Sequence, residues 1–155
     1  MGTVQGQRWS RAQLLAVVLS LYWLMIFTAT HLPLRSVRIG QVRYLGNLVL
    51  NSHVLDKVAH AGAFAGLAFL LTWLGRAAGG RGWKLLLGVL GLAAAYGIFD
   101  ETTQALVRDR TPDVFDWLAD MVGTVLGMIG FVVVREMYLR LKEVWMGRAE
   151  TRIER

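Results

Sequence analysis

Apolar residues run along this chain in long unbroken blocks, and polar residues collect between them. Residues 12–30, 58–75 and 85–99 carry no charge, and 117–134 carry one, Asp120. Blocks of this kind predict helices that cross a membrane, which takes roughly 20 mostly apolar residues. A spanning β-barrel would require apolar and polar positions to alternate along every strand, and nothing here alternates. The pattern predicts an all-α fold, an integral-membrane four-helix bundle. A first tail would cover residues 1–11, the bundle 12–134, and a second tail 135–155. In that tail Met137, Leu141, Val144 and Trp145 recur at helical spacing against a basic face. This predicts a C-terminal amphipathic helix lying on anionic lipid headgroups.

Composition agrees with the pattern. Of 155 residues, 55% are hydrophobic and only 18% charged, with a mean hydropathy of +0.44; a soluble domain carries roughly a quarter charged residues. The net charge of +6 is explained by basic residues flanking the spans, so it does not point to nucleic acid. No cysteine is present, which excludes disulfides and thiolate chemistry. The first block is too long for a signal-peptide core and is read as an uncleaved span. With four spans, both tails and the 76–82 connection share one side, which holds eleven basic residues against six on the other. The excess places both termini in the cytoplasm.

Short connections at 76–82 and 105–115 make the second, third and fourth spans sequential antiparallel neighbours. Gly62 and Gly66 on the second span, and Gly123 and Gly127 on the fourth, lie four apart. That interval lets helix backbones approach closely in lipid, so all four are expected at helix-packing contacts.

The informative residues are ionisable groups at span ends. Asp56, Lys57 and His60 open the second span; Asp100, Glu101 and Gln104 close the third; Arg108 and Arg110 follow; Asp116 and Asp120 open the fourth. Span parity brings these ends to one membrane face, whichever way the protein is inserted. Residues 85–99 extend only about 22 Å against a hydrocarbon thickness of roughly 30 Å. To span, the third helix must therefore continue through Asp100 and Glu101. Taken singly, His60 would be a packing residue, Asp116 a first-turn acid complementing the helix dipole, and Asp100–Glu101 a solvated end. Together, and partly below the interface, they form a site expectation, because intramembrane charge is costly unless paired or facing a polar cavity. The excess of carboxylates calls for a bound cation, a proton or a charged His60.

Three motifs in order carry a resemblance: Asp-Lys-x-x-His-x-x-x-Phe from Asp56 to Phe64, Asp-Glu-x-x-Gln from Asp100 to Gln104, and Arg110 followed by Asp116-x-x-x-Asp120-x-x-Gly123-x-x-x-Gly127. In these residues the chain resembles the VanZ-like family over about residues 21–134. His31-Leu32-Pro33 sits where family members often have a polar turn with proline. Two positions depart from the family pattern: Asp120 where asparagine is usual, and Phe64 where tyrosine is common. The resemblance implies a multi-pass protein of the bacterial cytoplasmic (inner) membrane and cell envelope. The family's namesake is associated with low-level resistance to the glycopeptide teicoplanin.

The expected function is binding of a lipid-linked or anionic envelope component, with membrane lipids as the other partners, at the outward-facing polar site. Lys57, Gln104, Arg110, Asp116 and Asp120 would bind it, with Lys57 and Arg110 on phosphate. A divalent cation, Mg or Ca, would be held among Asp100, Glu101, Asp116 and Asp120, since oxygen-rich sites suit hard cations. A membrane enzyme on lipid-linked phosphate substrates is the alternative, with His60, Asp100 and Glu101 as catalytic residues. No serine elbow, HExxH or phosphate loop supplies a reaction template. A small ion-coupled transporter is the third reading; with four spans it would need a dimer.

Overall fold

The computed structural model describes residues 10–31, 52–107 and 112–153, and among them all regular structure is helical. The helices are α1 (Arg11–His31), α2 (Ser52–Ala77), α3 (Gly82–Gln104) and α4 (Val114–Ile153). All four are long and apolar enough to cross a membrane.

Local chemistry sets the helix ends. Ser10 and Gln13 form a reciprocal capping box at the start of α1: Gln13 N–H donates to Ser10 Oγ at 3.2 Å, and Ser10 N–H donates to Gln13 Oε1 at 2.8 Å. Helix α2 ends in a Schellman turn, with Gly80 N–H donating to Gly75 O (2.8 Å) and Gly79 N–H to Arg76 O (3.1 Å). Gly79 takes the left-handed conformation this turn needs, φ +96°. At α4, Asp113 caps the first turn through Oδ1, which accepts the Phe115 N–H at 2.8 Å.

Helix α3 does continue through Asp100 and Glu101, as the short apolar block required. Helix α4 carries the chain through residue 135 without a break. Its 40 residues form one unbroken helix, about 60 Å long at 1.5 Å per residue, or twice the hydrocarbon thickness. The basic tail is a continuation of α4, because no proline, glycine pair or capping residue near Val134–Arg135 stops the helix.

Burial is inverted relative to a water-soluble bundle. Leu21, Val58, Leu87, Ile98 and Val122 are exposed on the bundle surface, while Asp100, Asp120, Thr124, Thr72 and His60 are buried. That distribution suits a hydrocarbon solvent, in which exposed apolar side chains cost nothing and polar groups must find partners inside. The protein is a multi-pass membrane protein.

Small residues set the tightest contact. A Cβ built on Gly123 or Gly127 would collide with the backbone carbonyls of Ala61 and Ala65 on α2. The α2–α4 backbones therefore touch at two successive turns. Gly66 instead makes room for the Tyr22 ring of α1, whose hydroxyl donates to the Ala63 carbonyl at 3.0 Å. Gly62 is a correction to the expected packing pair: it is exposed, and nothing lies within 4 Å of a Cβ there. Ala61 and Ala65, one position earlier than Gly62 and Gly66, carry the contact with α4. Ile26, Phe64, Leu67 and Ala93 form the apolar centre. Phe64 stacks on Tyr96 with ring centroids 5.6 Å apart. Helices α1 and α4 each pack on α2 and α3 and do not touch one another among the described residues.

Candidate functional site

The end of the bundle formed by the start of α2, the end of α3 and the start of α4 holds most of the buried polar side chains. His60, Asp100, Glu101, Gln104, Asp116 and Asp120 are all buried there. Two rungs tie α2 to α4. Lys57 Nζ donates to Asp116 Oδ1 at 2.7 Å and to Asp113 Oδ2 at 3.0 Å. One turn deeper, His60 Nδ1 lies 3.0 Å from Asp120 Oδ1. The rungs align because Lys57 and His60 are three apart and Asp116 and Asp120 four apart, so each pair lies on one helix face. Both sit just above the Ala61–Gly123 contact, which brings the two backbones close enough for short side chains to meet.

Helix α3 closes the third side. Glu101 Oε2 accepts the backbone N–H of Asp113 at 2.8 Å, fastening the end of α3 to the start of α4. Asp100 Oδ2 accepts from Gln104 Nε2, one turn away, at 2.5 Å. Its Oδ1 accepts from the Thr30 hydroxyl of α1 at 3.0 Å. The end of α1 also brings His31, whose Nε2 lies 2.9 Å from Thr103 Oγ1. Parity puts this end of α1 on the same face, so Thr30 and His31 were legible as members of the cluster. Thr103, Asp113 and Tyr96 also join it without having been singled out. Tyr96 is one turn below Asp100, and a hydroxyl inside an apolar block carries no signal of which way it faces. Asp113 was detectable as an acid in the N-cap position before the fourth span.

Arg110, expected to bind an anion here, lies outside the described residues, as do residues 32 and 33 of the His31-Leu32-Pro33 turn. Lys57, the other expected phosphate contact, has its ammonium held between two carboxylates.

Among the described residues, three buried oxygens at this end have no hydrogen-bond partner: Tyr96 Oη, Glu101 Oε1 and Asp120 Oδ2. Gly97 leaves room for the last of these, since a Cβ there would stand 3.2 Å from Asp120 Oδ2. Buried oxygens without donors are unfavourable by about 1–3 kcal/mol each, and more when charged. Among the residues whose side chains are described, six carboxylates (Asp56, Asp100, Glu101, Asp113, Asp116, Asp120) share this end with Lys57, His31 and His60. The arrangement is suited to holding a cation. One donor atom from each of His60, Asp100 and Glu101 lies within 4.8 Å of the others, all three residues being buried. Asp56, His60 and Asp116 make a second such group, with Asp56 exposed.

Beside the cluster, an apolar cleft of about 290 Å³ runs between α3 and α4, lined by Ile98, Glu101, Thr102, Asp113, Val114 and Trp117.

Compared with known proteins, residues 5–135 match the model of the VanZ/LLP1 family. No curated protein and no solved structure matches the chain.

Proposed function

The chain belongs to the VanZ/LLP1 family, and on that footing we propose that it is a bacterial inner-membrane envelope protein that binds a lipid-linked or anionic envelope component at its outward-facing polar end. Both termini then lie in the cytoplasm, in keeping with the excess of basic residues there. The observation that carries the reading is the junction of two surfaces. An apolar cleft between α3 and α4 lies against the buried, acid-rich cluster, with apolar atoms of Glu101 and Asp113 in its wall. Its walls include Ile98 and Val114, both exposed at the periphery of the bundle. A lipid tail fits the first surface and its headgroup meets the second.

An anionic headgroup is repelled by the carboxylates unless a cation intervenes, so a divalent cation between headgroup and carboxylates belongs to the proposal. The family connection extends it to the cell: the protein alters susceptibility to teicoplanin by occupying such a component.

The test uses the full chain in liposomes with a photoactivatable polyprenyl phosphate, and the matching neutral polyprenol as control. The expected result is labelling of α3 and α4 around 98–102 and 112–117 by the phosphate probe alone, lost in Trp117→Ala and in Glu101→Gln. In cells, expression should shift the teicoplanin response, and Asp100→Ala, Glu101→Ala and Arg110→Ala combined should abolish the shift. Equal labelling by the neutral probe, or a phenotype retained by the triple variant, rules the proposal out.

A further inference from the structure

The geometry points to a transition-metal site at His60, Asp100 and Glu101, with Asp120 and Gln104 as its supporting shell. This deepens the proposed function by naming the cation that would meet the headgroup, and its test separates the two.

Of the two candidate groups around His60, only one is wholly buried and free of a bound ammonium. In the Asp56–His60–Asp116 group, Asp56 is exposed and Asp116 already takes the Lys57 ammonium at 2.7 Å. In the His60–Asp100–Glu101 group all three residues are buried. Glu101 is only 7% exposed, and its Oε1 has no partner while Oε2 is held by the Asp113 N–H. That leaves one fixed, buried, unpartnered oxygen on a side chain whose other oxygen sets its position.

The histidine is oriented as a metal ligand would be. Metal-bound imidazoles commonly give their second nitrogen to a carboxylate, which fixes ring orientation and raises donor strength. His60 Nδ1 lies on Asp120 Oδ1 at 3.0 Å, and Asp120 is fully buried. Nε2 is then the nitrogen left for a metal. Asp100 is held in the same manner, by Gln104 on Oδ2 and Thr30 on Oδ1. Each of its oxygens keeps a lone pair for a ligand bond.

The donor set decides the metal class. Mg and Ca take all-oxygen shells of six or more ligands. One imidazole and two carboxylates, with donors confined within 4.8 Å, suit a smaller coordination number and an ion that accepts nitrogen, such as Zn or Mn. A tetrahedral ion with bonds of about 2.0–2.1 Å would draw these atoms in to separations of roughly 3.3 Å. Three protein ligands leave a position open, which a phosphate oxygen could fill.

Full-length protein in detergent, stripped with a chelator, would be titrated with Zn(II), Mn(II), Mg(II) and Ca(II), and with Co(II) for its visible spectrum. The expected result is one Zn(II) or Mn(II) per chain, with Mg(II) and Ca(II) at least about tenfold weaker. Glu101→Gln and His60→Gln should abolish stoichiometric binding, and Asp120→Asn should weaken it about 10–100-fold as loss of a supporting carboxylate does. Asp56→Asn should stay within twofold of the parent. Circular dichroism and elution profile check each variant's fold; should His60→Gln fail, the Glu101→Gln titration and the Co(II) bands of the parent decide. No saturable ion, preference for Mg or Ca, or a loss that follows Asp56→Asn while Glu101→Gln binds normally would overturn the site. The polyprenyl phosphate label, repeated after chelation, separates the two proposals. Zinc binding with an unchanged label supports the metal site and removes its link to the headgroup. A label that persists in a protein binding no zinc overturns the metal site and leaves the lipid reading standing.

Discussion

Gly123→Ala tests how far the polar end depends on one close helix contact. The new Cβ would point into the carbonyl oxygen of Ala61, well inside van der Waals distance. That carbonyl belongs to a helix backbone and has no rotamer with which to yield. The helices must part by roughly 1 Å at that level, and overpacking of this kind costs about 1–3 kcal/mol. The displacement reaches the site, because Gly123 is three residues from Asp120 and Ala61 adjoins His60. The His60–Asp120 contact is 3.0 Å, and a further 1 Å or so takes it past the limit of about 3.5 Å for a hydrogen bond. Thermal unfolding in detergent, followed by circular dichroism, should therefore show Gly123→Ala destabilised, with zinc affinity reduced at least about tenfold. Gly62→Ala is the internal control. Its Cβ meets nothing within 4 Å, so it should be neutral, or more stable by up to about 1 kcal/mol through helix propensity. Equal melting of Gly123→Ala, Gly62→Ala and the parent would refute the claim that backbone contact at 61–123 sets the site.

Gly97→Ala should lower stability by about 1–2 kcal/mol, because its Cβ would come within 2.9 Å of Trp117 Cδ1. The indole would have to swing, giving up its bond to the Ala94 carbonyl at 3.3 Å; an unchanged melting curve would contradict this. Tyr22→Phe removes the only described hydrogen bond from the Tyr22 hydroxyl, to the Ala63 carbonyl. It should cost about 0.6 kcal/mol and no more than roughly 1.7 kcal/mol, read from unfolding in mixed detergent, and a larger loss would mean that the ring itself had moved off Gly66. For the topology, the chain has no cysteine, so single cysteines at Gly82 and Val107 can be labelled without background. They should react from opposite sides, Val107 from outside, and labelling from the same side would refute four spans.

Much of the site was legible because it rests on counting. Once the apolar blocks define four spans, parity alone brings Lys57, His60, Asp100, Glu101, Gln104, Asp116 and Asp120 to one end. The short third block shows that Asp100 and Glu101 must enter the helix. Thr30 and His31 follow from the same parity at the end of α1, and Asp113 from its capping position. Tyr96 and Thr103 do not follow, since a hydroxyl in a membrane helix can satisfy itself on its own backbone, as Thr103 does on the Phe99 carbonyl at 2.8 Å. The continuity of α4 past residue 135 has its own physical reason: a change from apolar to basic side chains alters the solvent a helix prefers without breaking its hydrogen bonds.

By itself, then, the sequence determined how many helices there are, where most of them end, and which charged groups share a membrane face. These depend on block length, capping residues and parity, all of which are properties of the chain taken in order. Only the tertiary structure decided how each helix is rotated about its axis. In a soluble bundle an apolar stripe would set that rotation, but a membrane helix is apolar all round and has no such stripe to read. Rotation is set instead by where small residues let backbones meet. Packing at Ala61–Gly123 and Ala65–Gly127 leaves Gly62 exposed, commits Lys57 to Asp113 and Asp116, and turns His60 onto Asp120. It is this rotation that separates Asp116, paired with the Lys57 ammonium, from Glu101, which keeps a buried oxygen without a partner.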